Sequence, residues 1–217
     1  MLKCDDRSWL ALIQQHRAIA VIRATQLEQG RHMSHSVARG GMRLIEITWN
    51  TDRAATLIEQ LRGELPDCVI GAGTLLDWQQ MQAAIDCGAQ FLFSPHSDPH
   101  LIQVAVNLGV PIVPGALSPT EIVAAWQAGA SSVKVFPVHS LGGVNYIRSL
   151  QAPLTGIPLI PTGGVTVENA RSFLDAGAAA IGLSSSLFPE AAVATGNWEA
   201  IVTQAETLMR SVQAEQL

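Results

Sequence analysis

Two charged residues sit where the chain is otherwise apolar. SSVKVFP (131–137) places Lys134 between Val133 and Val135, and LIEITW (44–49) places Glu46 between Ile45 and Ile47. Burying either charge is costly unless it is paired or neutralised. Only one other lysine occurs in the chain, Lys3. Side chains alternate along a strand, so Val133, Val135 and Pro137 share one face, and Ser132, Lys134 and Phe136 share the other. By the same rule Ile45, Ile47 and Trp49 oppose Leu44, Glu46 and Thr48. If the aliphatic faces lie beneath helices, Lys134 and Glu46 point into one interior. A desolvated lysine keeps a fraction of its free amine at neutral pH, and such an amine attacks a ketone to form a Schiff base. The protonated imine draws electrons from the neighbouring C–C bond, and a carboxyl across the interior can shuttle the proton. That chemistry is an aldolase's, with neither metal nor cofactor. A buried ion pair, or charges reaching solvent at a mouth, is the alternative reading.

Other residues supply what a substrate would need. PTGGV (161–165), followed by a helix starting near Thr166 or Val167, offers backbone N–H groups to an anion, and GLSSS (182–186) adds hydroxyls. Arg23 and Thr74 end two other apolar runs. An arginine fork suits a carboxylate, with a surface salt bridge as its alternative, and Thr74 reads equally as a turn hydroxyl. His96, Asp98 and His100 suggest a metal site, but Asp98-Pro99 reads as an N-cap followed by proline at the first helical position. His96 and His100 then do not share a helix face, and no third ligand has metal spacing. His32 and His35 fall on a polar helix face.

The elements that must hold these residues alternate along the chain. Strands are read at 20–23, 44–49, 69–74, 91–95, 111–115, 132–137, 158–164 and 180–185, with helices at 26–39, 53–63, 77–87, 99–108, 119–128, 143–151, 167–176 and 198–213, and one more at about 6–16. Glycines in CGAQ (87–90), NLGV (107–110), QAGA (127–130) and DAGA (175–178) suit helix ends. Eight βα units without a linker predict an α/β protein, a (β/α)₈ TIM barrel with an extra N-terminal helix, forming one domain over residues 1–217. A doubly wound sheet is the competing topology. It lacks a GxGxxG fingerprint here, since GAG (71–73) is too short. In a barrel, Lys134 and Glu46 lie toward the strand ends that carry active sites, and the GG and SSS segments follow the strands that customarily bind phosphate.

Composition excludes several classes. Charged residues are 14% of the chain, apolar residues 48%, and the net charge is −5, so no basic stripe for nucleic acid or membrane arises. Cys4, Cys68 and Cys87 are odd in number and far apart, which reads as reduced thiols. The start, MLKCDDRSWL, has no signal-peptide stretch, and the expected compartment is the cytoplasm.

VIRA, GGMRLIEIT, IGAGT, FSPH, PIVPGALSPTE, VKVFP and PTGGV, in this order, resemble the class I 2-keto-3-deoxy-6-phosphogluconate (KDPG) aldolases, also called 4-hydroxy-2-oxoglutarate (KHG) aldolases, over nearly the full chain. The resemblance implies a barrel, usually a homotrimer, that cleaves KDPG to pyruvate and glyceraldehyde 3-phosphate. It implies Lys134 as the Schiff-base lysine and Glu46 as general acid/base. Arg23 and Thr74 would hold the pyruvyl carboxylate, and Gly163, Gly164 and Ser185 the phosphate. Pro95, Phe136 and Thr162 would line the pocket. Two positions depart from the family. Asn50 stands where some members carry the carboxylate-binding arginine, while a related group acting on the galactonate epimer often carries asparagine near this position, and Ser184 stands where glycine is common. A phosphate-binding barrel without lyase activity, and a Schiff-base lyase of the dihydrodipicolinate synthase kind, are the competing functions. The latter relies on a tyrosine relay, and the one tyrosine, Tyr146, falls in a helix.

Overall fold

The computed structural model describes residues 6–213. Lys3 and Cys4 lie outside the described residues. In chain order the elements are α1 (Asp6–His16), β1 (Ala18–Ile22), α2 (Leu27–Arg39), β2 (Leu44–Thr48), α3 (Ala54–Glu64), β3 (Val69–Gly73), α4 (Trp78–Asp86), β4 (Leu92–Phe93), α5 (Pro99–Leu108), β5 (Ile112–Val113), β6 (Gly115–Ala116), α6 (Pro119–Gln127), β7 (Val133–Val135), a 3₁₀ turn (Val138–Leu141), α7 (Val144–Gln151), β8 (Leu159–Pro161), α8 (Ala170–Asp175), β9 (Ile181–Leu183), α9 (Glu190–Thr195) and α10 (Trp198–Gln213).

Local chemistry sets the boundaries. Ser118 and Glu121 form a reciprocal capping box that starts α6, with Pro119 in its first turn. Asp98 accepts from the His100 N–H at 2.8 Å ahead of Pro99, so this segment starts α5 as its sequence suggests. The glycines expected at helix ends, Gly88, Gly109, Gly129 and Gly177, all have positive φ. Several boundaries differ from expectation: the strands expected at 91–95, 158–164 and 180–185 are shorter, and the helix after PTGGV begins at Ala170 rather than at Thr166 or Val167. Thr166 and Asn169 hydrogen-bond to each other's backbone N–H, and the Ala170 N–H donates to Thr166 O at 3.0 Å, so 166–169 form a capped turn that leads into the helix. The 3₁₀ turn and α9 lie in stretches that carried no expected element.

Every recorded strand pairing is parallel. A six-stranded sheet runs β5-β4-β3-β2-β1-β9, and a three-stranded sheet runs β6-β7-β8. β5 and β6 belong to one run of chain broken at Pro114, whose carbonyl still accepts from the Lys134 N–H at 2.9 Å. A parallel bridge, Thr162 to Gly182, links the segments after β8 and within β9. The result is an α/β fold on a curled parallel sheet.

Alternation divides the core as expected. Ile45, Ile47, Val133 and Val135 belong to the large cluster under the helices. A second, smaller cluster of Trp9, Ile13, Ile19, Leu44, Phe91, Phe93, Val113, Ile160 and Ala180 occupies the opposite face of the strands. Trp9 and Ile13 come from α1, which therefore plugs this inner space. The Trp9 indole donates to Ser132 Oγ at 3.0 Å, and its ring centroid lies 5.1 Å from that of Phe91. Ser132 is thus on the inner face, as is Lys134 two residues on.

Candidate active site

β7 and β2 deliver Lys134 and Glu46 to the inner face above the aromatic plug. Lys134 is 5% exposed, and its Nζ stands 4.7 Å from the Phe136 ring centroid and 5.7 Å from that of Phe93. Glu46 is 1% exposed, and neither carboxyl oxygen has a hydrogen-bond partner among the described residues. No ion pair closes between the two, but each acts on the other. Burial pushes the Glu46 carboxyl upward, against the opposing pull of the Lys134 and Arg23 charges. Burial pulls the Lys134 ammonium downward; Glu46 opposes this and Arg23 adds to it. Burial thus favours the uncharged form of each group, while the charge of each resists this in the other. A free amine is the form that attacks a carbonyl, and a carboxylic acid the form that donates a proton.

The neighbouring backbone makes room for this pair. A Cβ on Gly73 would lie 1.7 Å from Glu46 Oε1, and one on Gly71 would lie 2.4 Å from the Phe91 ring. GAG is therefore a packing device. Its two glycines share the inner face of β3 and leave volume for a carboxyl and a ring. At Gly115, which pairs with Lys134, a Cβ would meet Pro95 O at 2.3 Å. The Pro95 peptide thus folds over the inner space one strand away from the lysine, which puts Pro95 at the mouth with Phe136.

Arg23 follows β1, is exposed, and forms no ion pair among the described residues. It lines a cavity of about 400 Å³ together with Thr25, Gln29, Ser184, Ser185 and Glu190. Its charge also acts on Lys134 and Glu46. Thr74 follows β3 with φ of +59°, an unfavourable conformation for a β-branched residue. Such a strained backbone persists where the surroundings hold it and is common at ligand sites. Here the flanking Gly73 carbonyl and Leu75 N–H are both hydrogen-bonded, to Trp49 and Phe93. Thr162 is buried, and its N–H donates to Val135 O at 3.0 Å. Gly163 and Gly164 follow it with φ of +81° and +94°. Ser186 Oγ accepts from the Val167 N–H at 3.0 Å and so ties the GG turn's segment to the SSS segment. Ser185 is exposed beside it.

The expected residues thus converge on one end of the strands. His96 bonds through Nδ1 to Ser94 Oγ at 2.9 Å, and Asp98 is the α5 cap. His35 contacts Glu64 at 2.7 Å and His32 stacks on Trp198, both at the helix layer. Reading the sequence overlooked Gly73, Gly115 and His139. For Gly73 the signal was available: β3 alternates with Glu46's strand, and small residues facing a buried carboxyl mark the space it occupies.

A buried lysine and a buried carboxyl on the inner face of a curled parallel α/β sheet are groups with which a carbonyl-directed lyase works. Residues 10–204 match the family described as KDPG and KHG aldolase, and the chain belongs to that family of carbon–carbon lyases. The 2-dehydro-3-deoxy-phosphogluconate aldolase of Treponema pallidum is 32% identical over 200 residues, covering 92% of this chain and 95% of that protein. Among solved structures, native KDPGal is 31% identical with a TM-score of 0.82, covering 89% of this chain and 93% of that one. KDPG aldolase from Legionella pneumophila, with pyruvate captured at low pH as a covalent carbinolamine intermediate, is 27% identical with a TM-score of 0.85, covering 92% and 97%. No helix among the described residues is long and apolar enough to cross a membrane.

Proposed function

We propose that the protein cleaves KDPG to pyruvate and glyceraldehyde 3-phosphate through a Schiff base on Lys134. The burial of Lys134 within electrostatic reach of Glu46 carries this reading. The Lys134 amine adds to the C2 ketone to give a carbinolamine, the kind of intermediate captured in the Legionella enzyme. Protonated Glu46 then gives its proton to the departing hydroxyl, and water leaves. The iminium accepts the electron pair of the C3–C4 bond as the C4 hydroxyl proton passes to the Glu46 carboxylate. Glyceraldehyde 3-phosphate departs, the enamine takes the proton at C3, and hydrolysis of the imine releases pyruvate. Because the imine is itself the electron sink, the sequence of steps calls for no cofactor.

In this reading Arg23 and Thr74 hold the pyruvyl carboxylate, Gly163, Gly164 and Ser185 hold the phosphate, and Pro95, Phe136 and Thr162 line the path between. An uncommitted backbone donor supports the phosphate assignment: the N–H of Gly164 has no recorded acceptor among the described residues. The two sheets act as one closed eight-stranded barrel, joined through Pro114 and through the Thr162–Gly182 bridge. Residues 1–217 work as one domain, in a cytoplasmic homotrimer. KHG, which lacks phosphate, is a second substrate of the same chemistry.

The galactonate epimer is the alternative substrate. Asn50, exposed after β2, and the 31% identity to KDPGal favour it. Values of kcat/KM for the two C4 epimers and for KHG test the assignment. KDPG should exceed its epimer and KHG; the reverse order would transfer the assignment to the epimer.

A further inference from the structure

The GG turn is clamped by a side chain that the steps above do not use. His139, exposed in the 3₁₀ turn after β7, makes two contacts with one carbonyl. Its backbone N–H donates to Gly163 O at 3.1 Å, and its ring Nδ1 lies 3.1 Å from the same oxygen. A carbonyl only accepts, so Nδ1 carries the proton and donates. Gly164 lies against the ring: a Cβ there would come within 2.5 Å of His139 Cβ and 3.3 Å of Nδ1. Just before this contact, the Val138 N–H donates to Thr162 O at 2.9 Å. Just after it, Asn169 Nδ2 donates to Gly164 O at 3.0 Å.

Peptide planarity gives these clamps a direction. In a trans peptide the C=O of one residue and the N–H of the next point oppositely in one plane. Fixing Thr162 O on Val138 therefore turns the Gly163 N–H away from the 138–139 segment. Fixing Gly163 O on His139 turns the Gly164 N–H away in the same manner. We propose that His139 is a positioning residue for phosphate, because its ring locks the Gly163–Gly164 peptide and so aims the Gly164 N–H at the anion. This rests on the GG turn being the phosphate site of the proposed function.

The test compares the wild-type chain with His139→Ala and His139→Asn, whose amide can donate from the place of Nδ1. Inorganic phosphate is titrated calorimetrically, and KM and kcat are measured with KDPG and KHG. His139→Ala should weaken phosphate binding and raise the KM for KDPG roughly three- to tenfold, the size of one hydrogen bond. Its kcat and its KM for KHG should stay within about twofold, a margin well below one hydrogen bond. His139→Asn should recover most of the loss. The proposal is overturned if His139→Ala binds phosphate as the wild type does, if His139→Asn is no better than His139→Ala, if the KM for KHG rises as much as that for KDPG, or if the wild type binds no phosphate. The titration needs no turnover, so it still tests His139 if Lys134 proves to form no imine with pyruvate.

Discussion

Burial moves Lys134 and Glu46 in opposite directions, and the sign of each shift predicts a measurable change. Imine formation needs the free amine, so its rate should rise with pH and level off below the ordinary lysine value of 10.5. Glu46 holds the Lys134 value up and Arg23 holds it down. Glu46→Gln should therefore move the midpoint of that profile to lower pH, and Arg23→Ala to higher pH. Trapping rates with pyruvate and borohydride across a pH series would show either shift, and movement in the opposite sense would disprove the electrostatic account. Glu46→Gln should still form the imine but lose about 10²- to 10⁴-fold in proton exchange at the pyruvate methyl, the usual worth of a general acid/base. Exchange is read by NMR in deuterated water, and an unchanged rate would assign the proton to another group. Lys134 and Glu46 were legible because a charge inside a β-branched run has few uses. Thr74's left-handed backbone and His139's clamp were not, since each depends on a neighbouring strand or loop remote in sequence.

At the level of elements, the site depends on what β3 omits. Gly73→Ala would drive a methyl into the Glu46 carboxyl. The chain should still form its imine while methyl exchange falls toward the Glu46→Gln level; a variant with normal exchange would show that the carboxyl has room to move. Ser118→Ala removes the capping box of α6. It should cost about 1 kcal/mol, lowering Tm by roughly 2–4 °C in a melting curve. Element types and order followed from hydrophobic period and caps, and α10 was read to its recorded ends, Trp198 and Gln213. Boundaries failed where a capped turn precedes the recorded helix, as 166–169 does before α8, and where an element is as short as α9, six residues. Pro114 was visible, but not that its missing N–H would divide one run into β5 and β6.

For the whole molecule, alternating βα units made a curled parallel sheet legible, whereas closure depends on pairings as sparse as Thr162 with Gly182. Leu76, Trp78, Val106, Leu108, Trp126 and Leu141 are apolar and exposed on the protomer, which is consistent with association. Sedimentation equilibrium should give three times the protomer mass of 23.1 kDa, and a monomer would contradict the proposed trimer. The central claim is that the one described lysine is a Schiff-base nucleophile. Treating the intact protein with pyruvate and borohydride, then mapping peptides by mass, tests it most directly, with Lys3 as an internal control. One reduced pyruvyl adduct per chain on Lys134, absent from Lys134→Ala, is the predicted result. A folded protein that carries no adduct, or carries it on Lys3 alone, would contradict it.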